Sequence, residues 1–391
     1  MNKALLNKEV QEFLEKNYKK DISGIILKGS PFSEVSPQEL AIQLTGKRKA
    51  EKKLPTWFKT QGIIYPPTLN LEQTSSEITA EYKASLVEGK TLVDVTGGFG
   101  IDSFFFSKRF EQVVHCELNE ELSELVGHNS EVLGADNLQT FHGDGIEFIK
   151  SSQKNFDWIF IDPSRRDEGG GRVFHLSDCL PDVPAALPLL WQKTDSILLK
   201  TSPLLDLQAG IQSLEHVKEI HVVAVDNDVK ELVWVLKKGF SGEIKLHSIN
   251  FKKAEKEVYS GYFGEQPESK YSEPLDYLYE PNAAIMKSGL FDTVGRDHKV
   301  LKLHPNTHLY TSKEPRDFPG RKFRILQSLL YKKKVIKKEL DLQKANISTR
   351  NFPETVEALK KQFKLKDGGE YYLFFTTQKD NQKILLVCQK L

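Results

Sequence analysis

Only three cysteines occur among the 391 residues, Cys116, Cys179 and Cys388. They are too few and too scattered for a disulfide framework or a zinc site, and no metal is expected. No apolar run approaches the roughly 20 residues that span a bilayer. The stretch Met1–Asp21 mixes Lys and Glu without an apolar segment, so no secretory signal is expected. Internal repeats and low-complexity tracts are missing too. Apolar residues make up 39% of the chain, which excludes disordered, collagenous and coiled-coil classes. The expectation is a cytoplasmic protein kept reduced, with two to three domains at about 150 residues each.

Net charge is almost absent, at +1, but the average hides a split. Residues 91–182 hold 17 acids and 7 bases, whereas residues 313–366 hold 16 bases and 6 acids. Such separation offers one surface to a polyanion and keeps another away from it. The alternative for the run Lys332-Lys333-Lys334 is a solvated helix face. Arg316, Arg321, Lys322 and Arg324 just upstream keep a nucleic-acid face in play.

The first 80 residues read as helical. Val10, Phe13, Leu14 and Tyr18 fall at helical spacing. Ser36-Pro37-Gln38-Glu39 is a capping box with proline at the first helical position. From Thr91 the pattern alternates. Short branched runs at 92–95, 113–116, 138–142, 158–161, 197–199 and 220–225 are separated by helical segments such as 120–133. Alternation of this kind predicts an α/β fold with a doubly wound, mostly parallel sheet. Asp226-Asn227-Asp228 reads as a hairpin turn into an edge strand over 232–236. Residues 240–312 show less pattern, apart from a helix near 283–290 and an extended run at 301–303. The tail predicts a small α+β unit, with strands near 323–326, 371–376 and 384–388 and helices near 332–340 and 354–362.

The central chemical signal is Val93-Asp94-Val95-Thr96-Gly97-Gly98-Phe99-Gly100-Ile101-Asp102, between a strand and a helix. Glycines let backbone approach a ligand at the carboxyl edge of the sheet. Gly98-x-Gly100-x-x-Ser103 nearly matches the dinucleotide fingerprint, but serine replaces the third glycine. Asp94 beside the turn repels a pyrophosphate, yet suits the sulfonium and ammonium of S-adenosylmethionine. Glu117 follows the second strand, where a carboxylate can accept from both ribose hydroxyls. Asp144, before Gly145, follows the third strand and can accept from the adenine amino group. Either acid alone would serve as a helix N-cap. Three acids at three successive strand ends favour a pocket for that cofactor.

The fourth strand ends in Ile161-Asp162-Pro163-Ser164-Arg165-Arg166. Methyl transfer is an in-line displacement, so alignment supplies most of the catalysis and no metal is required. Asp162 and Pro163 would stand where the acceptor meets the methyl group. Arg165 and Arg166 would clamp a phosphate or carboxylate. The competing reading is a capping Asp-Pro with solvated arginines. Lys200, after the fifth strand, either lines the acceptor pocket or belongs to a turn. His304 and His308 are spaced for a helical metal pair, but Pro305 argues against one. Phe104-Phe105-Phe106 reads as core.

The chain resembles the class I S-adenosylmethionine-dependent methyltransferases that carry a C-terminal THUMP-like domain, a family associated with RNA. The resemblance rests on Ala50-Glu51-Lys52-Lys53-Leu54-Pro55-Thr56-Trp57, on Tyr65-Pro66-Pro67-Thr68-Leu69-Asn70-Leu71-Glu72-Gln73 and on Ser76-Glu77-Ile78-Thr79-Ala80. It rests further on the glycine loop, Asp162-Pro163-Ser164-Arg165-Arg166, Glu280-Pro281-Asn282-Ala283-Ala284 and Leu303-His304-Pro305-Asn306-Thr307-His308-Leu309. It implies an N-terminal helical region (1–80), a Rossmann-like core with a seven-stranded sheet (81–245), a connecting segment with a ferredoxin-like element (246–320) and a THUMP-like α+β domain (321–391). By the same resemblance Asp94, Thr96, Gly97, Gly98, Gly100, Asp102, Glu117, Asp144 and Gly145 would contact the cofactor, and Glu77, Thr79 and Lys83 would close over it. Asp162, Pro163, Arg165 and Arg166 would serve catalysis. Lys200, Arg321, Lys322 and Arg324 would meet an rRNA or tRNA substrate. The alternatives are methylation of a small molecule or protein, and a module that binds RNA and cofactor without turnover.

Overall fold

The structure, a computed structural model, describes residues 1–165, 175–253 and 255–391, with the side chain of Arg165 outside the description. The chain forms two compact units, one of residues 1–218 and 233–241, the other of residues 219–232 and 242–391.

In the first unit the N-terminal region is helical, as the apolar spacing predicts. The helix Pro37–Lys53 begins at the expected capping box, with Ser36 and Glu39 each satisfying the other's backbone N–H. Gln43 on this helix is buried and sews in the stretch before the two prolines. Its amide donates to Tyr65 O at 2.9 Å and its oxygen accepts from Tyr65 N at 2.8 Å. That leaves no room at Gly46, where a β-carbon would stand 2.3 Å from Tyr65 Cβ.

The sheet strands are β1 (Gly89–Asp94), β2 (Phe110–Glu117), β3 (Leu138–His142), β4 (Trp158–Ile161), β5 (Ser196–Thr201), β6 (Val217–Val225) and β7 (Asp228–Lys237). Within the first unit they run β7-β5-β4-β1-β2-β3. Parallel pairings join β1 to β2, β1 to β4, β2 to β3 and β4 to β5. Chain order therefore reverses at β1, which sends β2 and β3 to one side and β4 and β5 to the other. The crevice at such a switch point, outside the strand carboxyl ends, is where open α/β sheets bind ligands. Leu92, Val93, Val113, Ile159, Ile197 and Leu198 are wholly buried, and this two-sided burial is why these strands read as unbroken apolar runs. The expected Phe104-Phe105-Phe106 core is buried and packs its first two rings on Trp57.

In the second unit β6 and the start of β7 flank the expected turn, with Asp226 and Asn227 at φ 49° and 64°. Two positive φ values fit the two-residue hairpin turns that match strand twist. β6 pairs in parallel with β8 (Lys245–Phe251), and β8 pairs antiparallel with β9 (Lys256–Tyr262). The sequence did not predict these last two strands. A further sheet follows, with β10 (Tyr277–Pro281), β11 (Leu301–Lys302), β12 (Tyr310–Ser312), β13 (Gly320–Leu330), β14 (Asn346–Arg350), β15 (Tyr371–Thr377) and β16 (Lys383–Lys390). Its order is β11-β12-β10-β13-β16-β15-β14. Strands before and after residue 320 thus share one sheet, where the sequence pattern suggested a separate unit after about residue 313. Successive residues of β15 and β16 divide between two cores. Phe374, Ile384 and Leu386 join Leu278 and Phe323, whereas Leu373, Phe375 and Leu385 join Ile336 and Leu359. Both faces of these two strands are covered, whereas alternate residues of β13 are exposed.

Gly46→Ala raises helix propensity but drives a methyl into Tyr65. Chemical denaturation is expected to show a net loss of about 1–3 kcal/mol from overpacking; a gain in stability would contradict the tight Gly46–Tyr65 contact.

Candidate active site

The glycine loop leaves β1 and enters the helix Ile101–Ser107, whose N-cap Gly100 has φ 75°. Gly98 has φ 56°. Two closely spaced left-handed residues fold the loop back on the neighbouring strand end. A β-carbon at Gly97 would lie 2.2 Å from the His115 ring, and one at Gly145 would lie 2.3 Å from Val95 O. Gly97 N donates to Cys116 O at 2.8 Å, and Gly143 N to Glu117 O at 2.9 Å. The carboxyl ends of β1, β2 and β3 are therefore in direct contact.

Each expected acid has a distinct place at this rim. Glu117 accepts from Gly98 N at 2.9 Å and from Asn119 N at 2.8 Å. Two backbone donors fix the half-buried carboxylate, and each oxygen keeps accepting capacity. Asp144 is exposed and uses one oxygen to cap the helix Gly145–Ser151. The capping reading applies to it, and its second oxygen is the one available to a ligand. Asp94 is buried rather than presented. It accepts from Ser103 Oγ at 2.6 Å and from Thr96 N at 3.0 Å. The serine in the third glycine position thus holds the first acid. Burial pushes Asp94 up to about 7, against the pull of those two hydrogen bonds.

Thr96 Oγ1 accepts from Asp162 N at 2.6 Å, which ties the glycine loop to the end of β4. Asp162 pairs with Lys200 Nζ at 2.8 Å. Burial raises its pKa above the usual carboxylate value and Lys200 opposes the rise. Pro163 is half-buried beside it. Ser164–Arg165 makes a two-residue pairing with Cys179–Leu180. Arg166 and the side chain of Arg165 lie outside the described residues.

Of the residues expected to close over a cofactor, Lys83 is fully enclosed, 3.2 Å from Asp102 Oδ1 and 3.0 Å from Ser75 Oγ. Ser75 Oγ also donates to Asp102 Oδ2 at 2.8 Å. Lys83 and Asp102 thus form an internal ion pair that anchors the helix Glu77–Ser85 to the helix after the loop. Thr79 is buried and bonds to Ser76 at that helix's start. Glu77 accepts from Thr56 Oγ1 at 2.8 Å and from Thr56 N, and so caps the helix Pro55–Lys59. Sequence reasoning missed His115, Ser75 and Thr56. His115 is wholly buried behind the loop with Nε2 3.2 Å from Gly98 O, and burial depresses its pKa. Its place two residues before Glu117, on the same strand face, was the available signal.

Arg321, Lys322 and Arg324 lie on β13 in the second unit and do not share one face. Arg321 is committed to the buried Glu280, which also pairs with Arg350 at 2.7 Å. Lys322 pairs with Asp317 at 3.2 Å and Arg324 is exposed. The lysines of the helix Lys333–Glu339 are exposed, with Ile336 as that helix's buried anchor.

Comparison with known proteins agrees with this architecture. Residues 277–319 match a ferredoxin-like domain family and residues 320–390 a THUMP domain-like family. A solved structure from Porphyromonas gingivalis W83, described as a candidate methyltransferase, is 32% identical, with TM-score 0.89 over 99% of this chain and 98% of that one. A Mycoplasma mobile protein named as an uncharacterized RNA methyltransferase is 25% identical over 134 residues. That match spans about a third of either protein, 33% of this chain and 36% of the relative. The fold is that of an α/β protein with a mixed, mostly parallel sheet. The chain belongs to the methyltransferase family with a C-terminal THUMP-like domain. No helix among the described residues is long and apolar enough to cross a membrane.

The buried Asp94 has a pH signature. Its folded value of about 7 lies above the unfolded 3.8, so the native state holds the proton more tightly between those values. Stability from this group is present at low pH and lost as pH rises from about 4 to about 7, on the order of 4 kcal/mol at most. Asp94→Asn removes that dependence. Melting curves from pH 5 to 8 are expected to show wild type losing ground to the variant as pH rises. A constant difference would refute the burial argument.

Proposed function

We propose that this protein is an S-adenosylmethionine-dependent methyltransferase acting on RNA. The observation that carries the reading is the convergence of three strand ends on a glycine loop with the Glu117 carboxylate fixed and still able to accept. A β-carbon at Gly98 would meet nothing closer than Thr96 O at 3.9 Å, so the loop leaves space on its outer side. Glu117 would accept from the ribose diol, and Asp144 would offer its second oxygen to the adenine amino group. The buried Asp94 would act through Thr96 and Ser103, which it holds. When bound, the cofactor supplies an electrophilic methyl group. Asp162, braced by Thr96 and Lys200, would position the acceptor and take up its proton.

The RNA assignment is supported by the THUMP-like match, by the partial relative from Mycoplasma mobile and by the exposed lysines of the helix Lys333–Glu339. Pairing of Arg321 and Arg350 with Glu280 reduces the basic field that composition suggests. This observation favours the second reading, a small-molecule or protein acceptor.

Calorimetric titration with S-adenosylhomocysteine is expected to show binding that Glu117→Gln weakens about 10–100-fold, the value of one or two charge-assisted hydrogen bonds. Tritium from labelled S-adenosylmethionine is expected to enter RNA from a deletion strain with wild type and not with Asp162→Ala. Cofactor binding without label in any RNA fraction would reject RNA and leave the second reading. Unchanged affinity in Glu117→Gln would reject the cofactor pose.

A further inference from the structure

The second unit holds a cluster of metal-ligating side chains remote in sequence from the glycine loop. Glu219 and His221 are two residues apart on β6 and so share one face of the strand. His247 on β8 is the register partner of His221 in a parallel pairing, which places its ring on the same face. Glu219 Oε2 lies 3.4 Å from His221 Nε2 and 3.5 Å from His247 Nε2. One ligating atom from each residue falls within 4.8 Å of the other two. The rings stack at 4.5 Å between centroids and 12° between planes.

These separations match a small dication. Four ligands at about 2.0–2.1 Å from a tetrahedral zinc stand roughly 3.3–3.4 Å apart. Near-parallel rings leave the two lone pairs side by side, and a modest turn of each about Cβ–Cγ brings them onto one centre. Exposure grades across the cluster, with the side chain of His221 at 4%, His247 at 16% and Glu219 at 24%. The carboxylate side therefore gives access to solvent and room for a fourth, water ligand.

Two further features suit a metal. His247 Nδ1 lies 2.8 Å from Ser260 Oγ on β9, the outer contact that fixes a ligating ring. His247 Nε2 is buried with no hydrogen-bond partner among the described residues, although it faces a carboxylate oxygen. Exposed Lys245, in register with Glu219, is the neighbouring positive charge and can turn to solvent.

The geometry points to a three-ligand site for a borderline-soft divalent transition metal, with zinc as the preferred ion, clipping β6 to β8. Two imidazoles with one carboxylate favour such ions over magnesium or calcium, which want oxygen ligands. The site is independent of the proposed methyl transfer and needs no cofactor.

The test uses the full chain stripped with a chelator and titrated by calorimetry with zinc chloride and, in parallel, magnesium chloride. One zinc per chain and no magnesium binding are expected. His247→Asn and Glu219→Gln, each checked for wild-type circular dichroism, should weaken zinc affinity at least about tenfold. Cobalt in place of zinc should give the visible bands of a four-coordinate site in wild type and lose them in both variants. A readout without variants is the histidine NMR spectrum: zinc should shift the imidazole resonances of both His221 and His247 in the wild type. No zinc binding by wild type overturns the proposal. So does zinc binding that neither substitution alters and that leaves those two resonances unshifted, because other histidines would then hold the ion.

Discussion

Everything at the rim depends on how near the first three strand ends come to one another. That approach is possible because Gly97 and Gly145 put no side chain between the loops, so that His115 and Val95 O fill the space instead. Hydrogen bonds from Gly97 N and Gly143 N then lock the strand ends together. The carboxylate at the end of β2 is held by two backbone N–H groups, Gly98 of the loop and Asn119 just past the strand. Among the described residues no cation is paired with it, and its charge stays available to a ligand.

The acids at the rim divide the labour by depth. Asp94 and Asp102 lie inward, where hydroxyls and Lys83 satisfy them, and they fix the helices that frame the loop. Glu117 and Asp144 lie outward, held by backbone N–H groups that leave lone pairs over. Asp162 stands between, with Lys200 on one side and Thr96 linking it to the loop. Charge clustering here costs stability, because like charges are buried near one another. The fold accepts that cost at its switch point, where strained or destabilising features concentrate in functional sites.

Much of the first unit was legible because its strands are buried on both faces and its turns use glycine, proline and capping residues. The runs at 138–142 and 158–161 coincide with β3 and β4, and Asp226-Asn227 is the hairpin turn that its residues suggested. The strands β8 and β9 were not legible. Lys245-Leu246-His247-Ser248 and Lys256-Glu257-Val258-Tyr259 carry polar residues that pair across the hairpin, so the apolar period is diluted. β14 was missed for the same reason, since every residue of Asn346–Arg350 is half-buried. At the site, spacing announced the acids but not their depth. Nothing in the order of residues distinguishes Asp94, enclosed by Ser103, from Asp144, exposed at a helix start. Lys83 read as a lid residue because it precedes the first strand, yet its ammonium is enclosed with Asp102. The basic tail also looked stronger than it is, because Glu280, 41 residues before Arg321, takes up two of its arginines.

The way the chain threads its two units bears on how the protein can be dissected. It leaves the first unit after residue 218, returns for residues 233–241 and leaves again. A fragment stopped at residue 218 would therefore lack the second half of β7, and one begun at residue 242 would lack β6. Neither unit can be cloned whole as one continuous piece.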